Sequence, residues 1–193
     1  YLMPEIILTP EHKYFVDGKE RISVTSCLPY NYYKDSEEAK LRGQYVHDMV
    51  YLYNLGTLDE DVLDPQLIPY LDAYKRFRQE SKDIQGVIDV KSGSPNPCVK
   101  LQIAAYVELV NNNYKGQKSV AISEIPLAHS IYPYAGTPDI VNSKIPVTHG
   151  YALYLKDNGS YSLDDHSKDL RRNFNIFIAF ITTQIWKKEN GLL

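Results

Sequence analysis

The chain has 193 residues, 44% of them apolar, with a net charge of −3. That length suits one domain over 1–193 with a sizeable core, and the slight acidity argues against a basic coat for nucleic acid while allowing a local basic cleft. No apolar run approaches the roughly 18 residues of a membrane span, no signal-peptide pattern is legible, and Cys27 and Cys98 lack metal-site or disulfide-framework spacing, so the expectation is a cytoplasmic protein with no membrane association.

Taken in chain order, 14–27 ("YFVDGKERISVTSC") predicts a hairpin turning at Asp17-Gly18. Residues 36–56 predict a helix. Ser36 is placed to cap it, Glu37 and Glu38 suit the positive end of its dipole, and Gly56 suits its stop. His47 lies inside it, with Gly43 one turn earlier on nearly the same face, where a small residue lets another element approach. Residues 64–82 predict a second helix, broken or started near Pro69. "GVIDVKSGSPN" (86–96) then reads as a buried β-branched strand closed by turn residues. Residues 99–113 read as a mostly buried helix that aligns Gln102 with Tyr106.

"VAISEIPLAHS" (120–130) predicts a strand through about Leu127, and "YAGTPDIVNS" (134–143) a turn with a short strand. Residues 150–166 predict a hairpin about "DNG", and 169–190 a long helix with an apolar stripe through Phe174, Phe177, Ile178, Ile181 and Ile185. Helices alternating with strands indicate an α/β fold.

The polar features that stand out against apolar surroundings are His47, Glu124, Asp139 and the Asp89/Lys91 pair. In a strand, residues two apart share a face, so Asp89 and Lys91 emerge together while Val90 points away. Carboxylates with an imidazole suit a hard divalent cation such as Mg²⁺ or Mn²⁺. Such an ion can orient a phosphate and activate water. A neighbouring lysine can hold that water or offset phosphoryl charge. No "GxxxxGK[ST]" is present, so phosphodiester hydrolysis fits better than transfer from ATP. A buried Gln102 needs partners, which places its face against the polar strand end. His12, His129, His149 and His166 read as incidental. Arg171-Arg172 reads as a solvated helix face rather than a phosphate clamp.

These motifs resemble those of the PD-(D/E)xK nuclease superfamily, in particular its RecB-like exonuclease branch. The matching stretches are "GQYVHDM" with His47, "AGTPD" with Gly136 and Asp139, "IDVKSG" with Asp89 and Lys91, and "LQIAAY" with Gln102 and Tyr106. They span most of the chain, about residues 12–190. The resemblance implies a restriction-endonuclease-like core, a mixed central β-sheet flanked by helices. It implies metal ligation by Asp89, Asp139, His47 and the Val90 carbonyl, with Mg²⁺ or Mn²⁺ as the ion. Lys91 would position or activate water, Glu124 would support the site, and Gln102 and Tyr106 would contact DNA or hold the catalytic loop. The partner implied is DNA, in a bacterial or phage-infected cell, during recombination, repair or phage DNA processing. Iron–sulfur branches of the family use four cysteines, so two imply no cluster.

The motif blocks stand in a non-standard order: "DxK" and "QxxxY" (83–118) precede the acidic strand and "GxxD" (119–144). Either the chain is a true permutation, with different connections between the same strands, or the residue order read here is not the biological one. Three functions follow from the motifs: a DNA exonuclease, a structure- or site-specific endonuclease of the same chemistry, and a catalytically silent nucleic-acid-binding module.

Overall fold

The computed structural model describes residues 6–8, 14–16, 18–21, 24, 28, 36–113, 132–133 and 146–192. The N-terminal segment forms β1 (Ile6–Leu8), β2 (Tyr14–Val16) and β3 (Lys19–Arg21), an antiparallel meander in that order. The expected hairpin is there, turning at Gly18, but its pairing closes at Arg21, and β1 adds a strand that the alternation after Tyr14 did not announce.

Helix α1 (Glu37–Leu55) begins where the sequence placed it. The Ser36 hydroxyl accepts the Ala39 amide at 3.1 Å, and Gly56 takes φ 70°, the left-handed conformation that lets its amide close back on the last turn. Helix α2 (Ile68–Glu80) carries its proline in the first turn, where the missing amide costs nothing. Its buried residues, Tyr70, Leu71, Ala73, Tyr74 and Phe77, make one face at helical spacing.

The second sheet is mixed, with strand order β5-β4-β6-β7, formed from β4 (Val87–Lys91), β5 (Tyr132–Pro133), β6 (Gly150–Leu155) and β7 (Tyr161–Asp165). β4 runs parallel to β6 and antiparallel to β5, and β6 to β7 is the hairpin expected at "DNG". Helix α3 (Val99–Asn113) follows β4 with the expected bounds, and α4 (Leu170–Glu189) closes the chain.

Strand alternation divides the core into two layers of side chains. Ile88, Val90, Leu153 and Leu155 pack against α1 and α2. Val87, Ala152 and Tyr154 pack on the opposite side against Val99, Ile103, Tyr106 and Val107 of α3. β4 is thus covered on both faces, which is why its sequence is a near-continuous apolar run. Outside that sandwich, Leu28 joins Leu101, Ala105 and Phe177 between α3 and α4. Of the stripe expected on α4, Phe177 is buried and Phe174 and Ile181 are half-buried, but Ile178 and Ile185 are 42% and 41% exposed. The stripe is wider than the α3 surface available to cover it.

Two local devices hold β6 in register. A Cβ on Gly86 (φ 153°) would sit 2.7 Å from the His149 carbonyl oxygen, the group that accepts the Val87 amide at 3.0 Å. Asn111 of α3 grips the Val147 backbone on both sides, donating to its carbonyl at 2.9 Å and accepting its amide at 2.7 Å. Among the described residues, no helix is long and apolar enough to cross a membrane.

Candidate active site

Asp89 lies on the α3 side of β4 and is fully buried. Its register partner Ala152 is also fully buried. Two residues on, Lys91 shares the face, and its Nζ stands 2.8 Å from Asp89 Oδ2. Lys91 acts on Asp89 chiefly as a charge, while it donates a hydrogen bond to Gln102 Oε1 at 2.9 Å. Gln102 Nε2 in turn donates to the Tyr106 hydroxyl at 2.8 Å, one helical turn along α3. Gln102 and Tyr106 are 2% and 4% exposed, so the relay sits inside the core and is held by packing.

The loop between strand and helix makes this possible. Turn residues 92–98 stop β4 directly after Lys91 and return the chain in seven residues. The Asn96 side chain accepts the Cys98 amide at 2.8 Å and fixes the start of α3. The buried glutamine therefore meets the polar end of the strand, as its need for a partner suggested.

The electrostatics favour a cation at Asp89. Burial pushes its carboxyl up from the ordinary aspartate value, and the Lys91 charge pulls it back down only in part. Oδ1 is buried and receives no hydrogen bond among the described residues. An unsatisfied buried acceptor costs about 1–3 kcal/mol, and an ion is one of the partners that accounts for such an atom. Its unpaired oxygen is the kind of donor a hard divalent ion takes, supplied here by one carboxylate.

Asp89, Lys91, Gln102 and Tyr106 are brought together; the other expected groups are placed differently. His47 is half-buried on α1, whose neighbours Val46, Met49 and Val50 pack on the opposite face of the sheet. Gly43, one turn before it, brings α1 close to the end of β4: a Cβ there would meet Ser92 Oγ at 3.7 Å. The Val90 side chain is buried in the α1–α2 core, which leaves only its backbone carbonyl as a donor atom. Glu124 and Asp139 lie outside the described residues, as do the strand over 120–130 and the turn over 134–143. The block that contains them does supply β5, whose Tyr132 and Pro133 pair with Ile88 and Val87 of the Asp89 strand. Among the described residues, no three His, Cys, Asp or Glu side chains cluster as a metal-holding group. Ser92, beside Gly43, is a neighbour of the site that spacing alone did not pick out; its position directly after Lys91 was the available signal.

The chain matches no protein-family model, no curated protein and no solved structure.

Proposed function

We propose that this protein is a Mg²⁺- or Mn²⁺-dependent deoxyribonuclease, with a restriction-endonuclease-like core of the PD-(D/E)xK type, that hydrolyses phosphodiester bonds at DNA ends. One observation carries the reading: a fully buried aspartate with an unsatisfied oxygen, ion-paired to a lysine that a buried Gln–Tyr relay holds in place. An ion pair kept only for stability would have little reason to leave a buried carboxylate oxygen orphaned, since replacing such pairs by apolar residues is often neutral or stabilising.

In this reading Asp89, Asp139, His47 and the Val90 carbonyl would hold the ion, with Glu124 in support. When bound, it would supply Lewis-acid stabilisation of phosphoryl charge and a more acidic water. The chain's own contribution centres on Lys91. Its ammonium has three N–H donors; one is committed to Gln102, one face lies against Asp89, and a third remains to hold the attacking water. Gln102 and Tyr106 remove the rotational freedom of that lysine before substrate arrives, which is what a positioning relay contributes. Activity at DNA ends, and a role in recombination, repair or phage DNA processing, follow from the motif resemblance.

The test is incubation of end-labelled linear duplex and closed circular DNA with Mg²⁺, Mn²⁺ or EDTA. Metal-dependent loss of the linear substrate alone supports an exonuclease. Cutting of the circle supports an endonuclease with the same chemistry. Tight binding without turnover of either substrate supports the silent binding module and overturns the hydrolase reading.

A further inference from the structure

A polar cavity of about 270 Å³ opens where β7 ends and α4 begins. Its walls include Lys100 of α3, Lys168, Arg172 and Asn173 around the first turn of α4, and His166. Asp165 pairs with Tyr151 and Lys91 with Tyr154. Asp89 itself pairs with Ala152, so Asp165 lies one register position from Asp89 along the sheet and two strands across it, about 10 Å away.

Three features of this cavity suit an anion. The N-terminus of α4, a 20-residue helix, has no side-chain cap, because Asp169 makes no hydrogen bond to it. Its first-turn amides carry the positive end of the helix dipole. His166 Nε2 is a buried atom with no hydrogen-bond partner among the described residues. Asn173 is 94% buried by its 6% exposure, lines the cavity, and has no amide hydrogen bond to a described residue. The cavity thus combines a buried imidazole nitrogen and a buried carboxamide, neither hydrogen-bonded to a described residue, with a helix end that lacks a side-chain cap.

The charges decide the sign of the ligand. Lys100, Lys168 and Arg172 face two carboxylates, Asp165 and Asp169. Asp165 is already engaged, since its Oδ1 accepts both the backbone amide at 2.8 Å and the hydroxyl of Ser167. That engagement holds its carboxyl below the usual range. The uncommitted groups are donors: guanidinium, ammonium, carboxamide, helix amides and, in one tautomer, the imidazole N–H.

We propose that this cavity binds a phosphate group, with Arg172 and Lys168 supplying charge-assisted bonds and His166, Asn173 and the α4 N-terminus completing the cradle. The ligand is the phosphate of a DNA strand or of a small phosphorylated molecule. The DNA source rests on the nuclease reading, under which a few nucleotides, at about 3.4 Å of axis each, span the distance to Asp89. The cavity itself does not rest on that reading.

The experiment has two arms on the full chain. In the first, inorganic phosphate is titrated while the His166 ring and Asn173 amide signals are followed by NMR, with chloride at matched ionic strength as control. The expected result is a saturable shift with phosphate only, weakened about tenfold or more in Lys168→Gln/Arg172→Gln. Both substituted residues are exposed, and far-UV circular dichroism checks that the variant is folded. Equal responses to chloride and phosphate, or an unaffected double variant, overturn the proposal. In the second arm, a short duplex is bound in EDTA at several salt concentrations, with Lys188→Gln as control. A fall of about 2 in the salt slope of the double variant identifies DNA as the source. Phosphate shifts with an unchanged DNA slope assign the cavity to a small phosphate. Phosphate shifts in a protein that neither binds nor cuts DNA keep the cavity and remove the nuclease reading.

Discussion

Replacing Lys91 by methionine keeps most of the side-chain volume and removes the charge beside Asp89. Asp89 is fully buried and its Oδ2 lies 2.8 Å from Lys91 Nζ, while the lysine side chain is 18% exposed. Removing one partner of a buried pair costs about 3–5 kcal/mol, because the other charge stays buried. The partial exposure of Lys91 puts this pair near the lower end, about 3 kcal/mol. At roughly 2–4 °C per kcal/mol for a domain of this size, Lys91→Met in EDTA should melt on the order of 6–12 °C below the wild type at neutral pH. The sign of the pH dependence follows from the raised Asp89 carboxyl. A carboxyl raised in the folded state binds its proton more tightly there than in the unfolded chain. Its stabilising contribution is therefore complete below the ordinary aspartate value of 3.8 and is lost as pH rises above it. Without Lys91 the carboxyl rises further, so the gap between variant and wild type should narrow as pH falls from 7 toward 4.

The assay is thermal unfolding followed by far-UV circular dichroism across that range, for the wild type, Lys91→Met, Asp89→Asn and the double variant. With Asp89→Asn in place there is no buried charge to strand, so the second substitution should cost about 1 kcal/mol or less, chiefly the hydrogen bond to Gln102. Equal losses from Lys91→Met in both backgrounds, or a gap that does not change with pH, would refute the coupling.

Gly150→Ala tests the seam between sheet and α3. Its Cβ would sit 2.4 Å from Ile103 Cγ2 and 3.1 Å from Val107 Cγ2. Overpacking of this kind costs about 1–3 kcal/mol, which denaturant titration should register as a lower midpoint, and an unchanged midpoint would show that α3 yields. Gly43→Ala should behave in the opposite way. A methyl 3.7 Å from Ser92 Oγ is ordinary contact, and the helix gains about 1 kcal/mol of propensity, so stability should rise with the α1–β4 approach intact. Gly43→Leu should lose that gain, as the larger side chain pushes α1 off the strand end. Ser36→Ala should cost about 1 kcal/mol, as loss of the only described side-chain cap on α1, measured by the same unfolding curves.

The local rules of the sequence carried far because local chemistry decided those elements. Ser36, Gly56 and the early Pro69 mark helix ends by hydrogen-bond needs that no tertiary contact alters. The β-branched run at 87–90 marks a strand covered on both faces. The Lys91–Gln102 contact was legible because a buried glutamine requires a partner and the strand end offered one. Other features depend on what packs against what. Ile178 and Ile185 satisfy the period of α4, yet only the α3 surface decides how much of that stripe is covered. The cavity at His166 joins residues from α3, β7 and α4 that no spacing rule links, so Arg172 read as a solvated face and His166 as incidental. His47 sits at the helical position expected of it, but its distance from Asp89 across the sheet is a tertiary matter that its spacing from Gly43 could not fix.

The central claim is that the Asp89–Lys91 pair hydrolyses DNA. The most direct measurement is the Mn²⁺-dependent release of labelled nucleotides from linear duplex by the wild type and by Asp89→Asn, each shown to be folded by its melting curve. The account predicts cleavage by the wild type, abolished by EDTA, and a loss on the order of 10²–10³-fold or more in Asp89→Asn. Cleavage by the variant within a few-fold of the wild type, or none by either protein in either metal, would contradict it.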